Sequence, residues 1–229
     1  MIRQSLVGAV IAVALAAGVV QAADTGYTAA WSSAPSVEGF TNPSGEITNP
    51  GTGGNPGGFL RATRTGSVNV NVCPIPFLRE DLGKTFGTGA GTISFDVKAL
   101  DSYEIPEIHL ALTDGSSSFT YIITTQNVVG HPQTAVDGWV HYSIPWQATW
   151  DNAEAIARKW RIDAPTGEWA KVIKTPKYSV LSVIGSGKGP TNQTVGIDNF
   201  RIDAGAAVDP AKLAPAAADA ATPPGAKAQ

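Results

Sequence analysis

Apolar and polar residues alternate along the middle of this 229-residue chain. Over 92–99, Ile93, Phe95, Val97 and Ala99 fall on one side, and Thr92, Ser94, Asp96 and Lys98 on the other. A period of two predicts a strand with one buried and one wet face. Residues 107–112 repeat it with Ile108, Leu110 and Leu112 inward. Thr113-Asp114-Gly115-Ser116 is a turn signal, and 119–124 follows as the hairpin partner. Residues 139–144 form another strand, closed by Pro145, and 178–184 and 194–202 are the last two. Strands at this spacing, punctuated by Gly and Pro, predict an all-β antiparallel sandwich.

Two segments break the alternation. Asp151-Asn152-Ala153-Glu154 fits a helix N-cap with Glu three residues on, and Ala153, Ile156, Ala157 and Trp160 form its apolar stripe. This predicts one short helix plugging an end of the sandwich. Residues 39–58 instead stack turn formers with almost no core residue, ending in Gly53-Gly54-Asn55-Pro56-Gly57-Gly58. A loop of this length inside a folded domain reads as a binding loop with a defined turn.

The ends of the chain do not belong to that pattern. Arg3 precedes an apolar run over 6–20 and then Val20-Gln21-Ala22, the three-part layout of a secretory signal peptide over residues 1–22. The run is too short to span a bilayer. The folded domain is expected over 23–204, and the Ala/Pro-rich 205–229 reads as a disordered tail, since it lacks the apolar surface to offset its ordering entropy. Such a chain is expected to be secreted or periplasmic, with no membrane span after cleavage.

Charge and candidate chemistry narrow the function. The chain carries 16 basic and 19 acidic residues; without Arg3 the count is 15 against 19, a net of −4. A mildly acidic chain with no basic run has no footprint for nucleic acid. The single cysteine, Cys73, sits in an apolar setting and reads as a small buried hydrophobe. Asp96, Asp101, Glu104 and Glu107 are candidates for a glycosidase pair, but alternation places Asp96 and Glu107 on the solvent face, where charges keep a sheet wet. His109, His131 and His141 lack metal-ligand spacing, and no nucleophile elbow or phosphate loop is present. The reading is noncatalytic. A sugar site needs aromatic platforms and planar polar groups. Trp139 and His141 alternate with inward Val140, Tyr142 and Ile144, so Trp139 is expected on the outer face, with Arg61, Arg79 and Glu107 as polar partners.

Several segments taken together resemble a known family. They are Pro35-Ser36-Val37-Glu38-Gly39-Phe40, Gly54-Asn55-Pro56-Gly57-Gly58-Phe59, Phe77-Leu78-Arg79, Gly138-Trp139-Val140 and Gly196-Ile197-Asp198-Asn199-Phe200. In this order they resemble the laminin B (laminin domain IV) family, related in form to galactose-binding-like jelly-roll modules. The resemblance spans nearly the whole predicted domain. It implies a jelly roll whose first and last strands lie close together, with a structural Ca²⁺ held by Glu38 and Asp198. The Gly-rich turn would aim carbonyls at the ion, and Asn55 would add a side-chain oxygen. It further implies a polysaccharide or an extracellular protein as partner. A structural spacer or adhesion domain without a small ligand is the competing reading, and exposed tryptophans would decide for sugar.

Overall fold

The structure is a computed structural model, and it describes residues 27–43, 45–67, 69–72, 86, 89–101, 105–124, 135–136, 138–163, 167–184 and 192–205. The signal-peptide segment 1–22, Cys73, Arg79, Glu104, His131 and the tail from 206 lie outside the described residues.

Two antiparallel sheets carry the fold, as the alternation predicts. One has seven strands: β1 (Tyr27–Ala29), β2 (Glu46–Thr48), β3 (Leu60–Arg64), β5 (Ala90–Ala99), β8 (Ala135–Val136), β9 (Trp139–Gln147) and β12 (Gln193–Gly205). They lie in the order β2-β3-β12-β5-β9-β8, with β1 also on β12. The other has five, in the order β10 (Trp160–Ile162), β7 (Ser118–Thr124), β6 (Glu107–Thr113), β11 (Tyr178–Ile184) and β4 (Asn69–Val72). Early β1 and late β12 are neighbours, with Thr28 opposite Arg201.

Between the sheets, Leu60, Ile93, Phe95, Val97, Ile144 and Ile197 meet Ile108, Leu110, Phe119 and Leu181, all fully buried. Each such side chain contributes roughly 1.5–3 kcal/mol relative to exposure. A second cluster forms around Trp169, whose ring centroid lies 5.0 Å from Trp160 and 5.8 Å from Trp150. Its indole N–H donates to the Gln147 carbonyl at 2.7 Å, which lets a polar atom be buried without loss.

The structure departs from the sequence expectations in four places. The predicted helix forms as α1 (Asn152–Ala157) with the expected capping box, Glu154 N–H donating to Asp151 at 2.8 Å. Its apolar stripe does not hold: Ala155 is the buried residue and Ile156 is 50% exposed. Lys159, in the left-handed region at φ 72°, ends the helix, so Trp160 belongs to β10. Second, β9 runs on through Pro145, since among the described residues no strand pairs with β9 there on the side away from β5, where the missing N–H is not needed. Third, α2 (Trp169–Lys174) was not predicted, being a six-residue helix with no side-chain cap. Fourth, Asp96 is buried, for a reason that belongs to the site itself.

Candidate functional site

Residues paired across neighbouring strands share a face. The register therefore lays out rows on the side of the seven-stranded sheet turned away from the core. One row is Asp198, Asp96, His141. The next is Arg61, Gly196, Lys98 and then Trp139, which adjoins Val140 opposite Val97. A third is Thr28, Arg201, Ser94, Ser143.

A bulge shapes the middle of this face. On β12, Asn199 and Phe200 occupy the space opposite Phe95 alone, between the Asp198–Asp96 and Arg201–Ser94 pairs. Asn199 adopts φ 49°, which Asn tolerates better than most residues. The turn lets Phe200 enter the core while the Asn199 amide stays on the outer side, reaching Asp96 Oδ2 at 2.7 Å.

The Gly-rich turn lies over the row of carboxylates. It closes with Gly54 N–H donating to the Gly57 carbonyl at 2.7 Å. Asn55 N–H donates to Asp198 Oδ2 at 2.5 Å, and its side-chain amide donates to Asp96 Oδ2 at 3.2 Å. Gly54 is required here, since a Cβ on it would stand 2.0 Å from the Gly58 carbonyl oxygen and 2.7 Å from Asp198 Oδ2. The expectation of inward carbonyls is thus reversed for Asp198, which meets the turn's N–H. The Asn55 carbonyl accepts from Asn199 Nδ2 at 2.5 Å.

This cover explains the burial of both carboxylates: Asp198 is 0% and Asp96 3% exposed. Alternation placed Asp96 correctly on the outer face, but the face is roofed at that point. Burial pushes the Asp198 carboxyl up against the two backbone N–H groups that favour its charge, and the Asp96 and Glu38 charges push it further the same way. For Asp96 burial also acts upward, but donors from His141, Asn199 and Asn55 outweigh it and hold the carboxyl below its ordinary value. The His141 imidazole is raised by its bond to Asp96, against the opposing effect of burial.

Of the residues expected to bind ligand, the structure gathers some and separates others. Trp139 is on the outer face but only 2% exposed, a correction to the expected platform. It lies over Gly196, edge-on to Phe59 at 5.4 Å, with Lys98 Nζ 5.8 Å from its ring. Arg61 and His141 are exposed on that same face. Glu107 is on β6 of the other sheet, bonded to His109 at 2.7 Å, so it does not join them. Trp146, Trp150 and Trp169 are buried as well. The His141–Asp96–Asn199–Asn55 network, built around the buried Asp96, was not legible in the sequence. Alternation put Asp96 and His141 on wet faces, but nothing linear made them neighbours.

Two facing carboxylates are the raw material of glycosidase chemistry. Here both oxygens of Asp198 accept backbone N–H groups, from Asn55 and from Asn199 at 2.8 Å, and the turn seals the pair. The arrangement orients groups rather than exposing an acid and a base. For a metal, Glu38 and Asp198 both carry hard oxygen donors, and the Glu38 charge is among those that push the Asp198 carboxyl up, a crowding that a cation would relieve. Among the described residues no three acidic, His or Cys side chains converge as a ligand set, so further oxygens would come from backbone and water.

No family model matches the chain, and no curated protein matches it. Solved structures do. An exo-β-agarase is 18% identical with a TM-score of 0.49, covering 75% of this chain. The chain spans about a quarter of that enzyme's length and of a second agarase's (24% and 25%). A mannan-recognising carbohydrate-binding module is 15% identical with a TM-score of 0.44, over 78% of this chain and 96% of that one. A family 11 carbohydrate-binding module from Clostridium thermocellum, in complex with a mixed-linked tetrasaccharide, is 15% identical with a TM-score of 0.40, over 80% and 89%. These are likenesses of sandwich form and carry no functional weight.

Proposed function

We propose that this chain is an exported, noncatalytic β-sandwich module that binds polysaccharide on the outer face of its seven-stranded sheet. The observation that carries this reading is the band of exposed hydrogen-bonding side chains there. Thr28, Arg201, Ser143, His141 and Arg61 stand on a rigid sheet beside a fastened loop. Sugars are recognised by such planar and hydroxyl-bearing groups when they are held in place. Export follows from the signal-peptide layout of residues 1–22. A structural Ca²⁺ at Glu38, Asp198 and Asn55 is part of the proposal, as a clip between the early segment and the last strand; an ion bound only by the folded state adds stability.

A glycan-array screen of the mature domain, with calcium and with chelator, tests both parts. Binding to at least one polysaccharide class is expected, as is a melting temperature lowered by chelator. No binding in either condition overturns the carbohydrate reading. An unchanged melting temperature overturns the calcium clip.

One observation favours a second reading, a spacer or protein-contact domain. All six tryptophans are buried, so none offers a stacking surface. Failure on glycans together with capture of a matrix protein would select it.

A further inference from the structure

We infer that His141 is the residue that reads a ligand hydroxyl, and that Asp96 and Asn199 are positioning residues that fix its ring. The inference rests on the carbohydrate reading above and names the group that carries it.

The geometry is that of a surface imidazole anchored from below. The His141 side chain is 58% exposed and the Asp96 side chain only 5%. Asp96 Oδ1 lies 2.6 Å from His141 Nδ1. An ionised carboxylate can only accept, so Nδ1 is the donor. That assignment fixes the ring's tautomer and leaves Nε2 as the working atom, with no partner among the described residues. A neutral ring then accepts from a hydroxyl at Nε2, and a charged one donates to it.

The network is larger than a loop fastening requires. Asn55 already ties the turn to Asp198 through its backbone and to Asp96 through its side chain. Among the described residues His141 hydrogen-bonds to Asp96 and to no residue of the turn. Asp96 is in turn held by Asn199, whose left-handed backbone exists only because of the bulge. Three separate elements therefore converge on one buried carboxylate: the two asparagines share Oδ2, and Oδ1 is left to the one exposed ring. Burying a carboxylate costs several kcal/mol unless it is fully bonded. A sheet face with only a structural role is as well served by a small uncharged residue at position 96. Holding a surface group still is what this arrangement adds, and a held group loses less entropy when it binds.

Ser143 completes the subsite. It lies two residues along β9 on the same face, about 6.7 Å away by strand rise, which is the scale of one sugar ring. It is exposed, and its hydroxyl has no partner among the described residues. A pair of ring hydroxyls spanning Nε2 and the Ser143 Oγ is the recognition unit proposed.

The test uses the full chain in affinity gel electrophoresis against agarose, galactomannan and mixed-linkage β-glucan. His141→Ala is expected to weaken retardation by whichever polysaccharide binds about tenfold or more, and Ser143→Ala several-fold less. His109→Ala, on the opposite sheet, leaves it unchanged. Nitrogen-15 NMR of the wild type at a pH where the ring is neutral is expected to show the proton on Nδ1. Asp96→Asn is expected to mix the tautomers and weaken binding while the melting transition stays cooperative. If Asp96→Asn does not fold, the wild-type spectrum carries the positioning claim, and equal tautomers there overturn it. Wild-type binding with His141→Ala within about twofold overturns this inference and leaves the carbohydrate reading standing. Wild-type binding to none of the three overturns both.

Discussion

Asp96 and Asp198 stand opposite each other on β5 and β12, and one residue above them serves both. Asn55 gives its backbone N–H to Asp198 and its side-chain amide to Asp96. Two like charges on adjacent positions of an antiparallel ladder repel. They are tolerated because every oxygen has a donor and because burial holds Asp198 toward its protonated form. The pair thus joins three parts of the chain distant in sequence, the turn at 53–58, β5 and the middle of β12.

Asp198→Ala should remove the acceptor of two N–H groups, on Asn55 and Asn199, and loosen the turn. The expected loss is about 2–4 kcal/mol, read by urea denaturation. Asp198→Asn keeps one acceptor and relieves the repulsion with Asp96, so it should cost less than half as much. Equal losses for the two variants would contradict this account.

Glycines in the turn should differ sharply in tolerance. Gly54→Ala drives a Cβ to 2.0 Å from the Gly58 carbonyl, so the turn must move off the carboxylates. Gly57 has open space around a Cβ but a φ of 89°, and Gly57→Ala should cost only the strain of that backbone, about 1 kcal/mol. Limited proteolysis should cleave the Gly54 variant within 51–58 and spare the Gly57 variant.

At Gly196 the neighbour is a side chain. A Cβ would sit 2.6 Å from Trp139 Cη2 and 3.2 Å from Phe59. Gly196→Ala should therefore cost about 1–3 kcal/mol and lift Trp139 toward solvent, seen as a red shift of its fluorescence. In the wild type all six indoles should resist quenching by acrylamide, as their burial requires.

Stability should fall steeply in acid through Asp114. Its Oδ1 accepts from the N–H groups of Ser116, at 2.8 Å, and Ser117, at 2.7 Å. Those bonds hold the carboxyl down from its ordinary 3.8 to about 2. A folded value below the unfolded one stabilises the fold above pH 3.8, and that contribution is lost as pH falls toward 2. Melting temperature measured from pH 5 to 2 should drop less in Asp114→Asn than in the wild type. Parallel curves would show that the turn bonds do not act this way.

Much of the fold was legible because it depends on local alternation. The strands at β5, β6, β7, β9 and β11, and β12 on either side of its bulge, each present a period-two face, and Ile93, Phe95, Ile108 and Leu110 point inward as that period requires. The short strands β1 to β4 and β10 escaped, since three to five residues hold too few alternations to stand out. The Asp151–Glu154 cap announced α1, but six helical residues are too few for a stripe, so Ile156 stayed outside.

The sequence by itself determined that the chain is a two-sided antiparallel sheet protein with one Gly-rich excursion, because side-chain period and turn chemistry act over a few neighbouring residues. Only the tertiary structure decided what lies on the outer face. Alternation says which side of a sheet a residue occupies, never whether something covers it. The turn at 53–58 folds back onto β5 and β12 and changes Asp96 from a solvated charge into a buried anchor. Phe59 and the side-chain-free Gly196 do the same for Trp139, removing the expected platform. His141, one row away and uncovered, is left as the exposed end of a network that joins residues 41 to 103 positions apart.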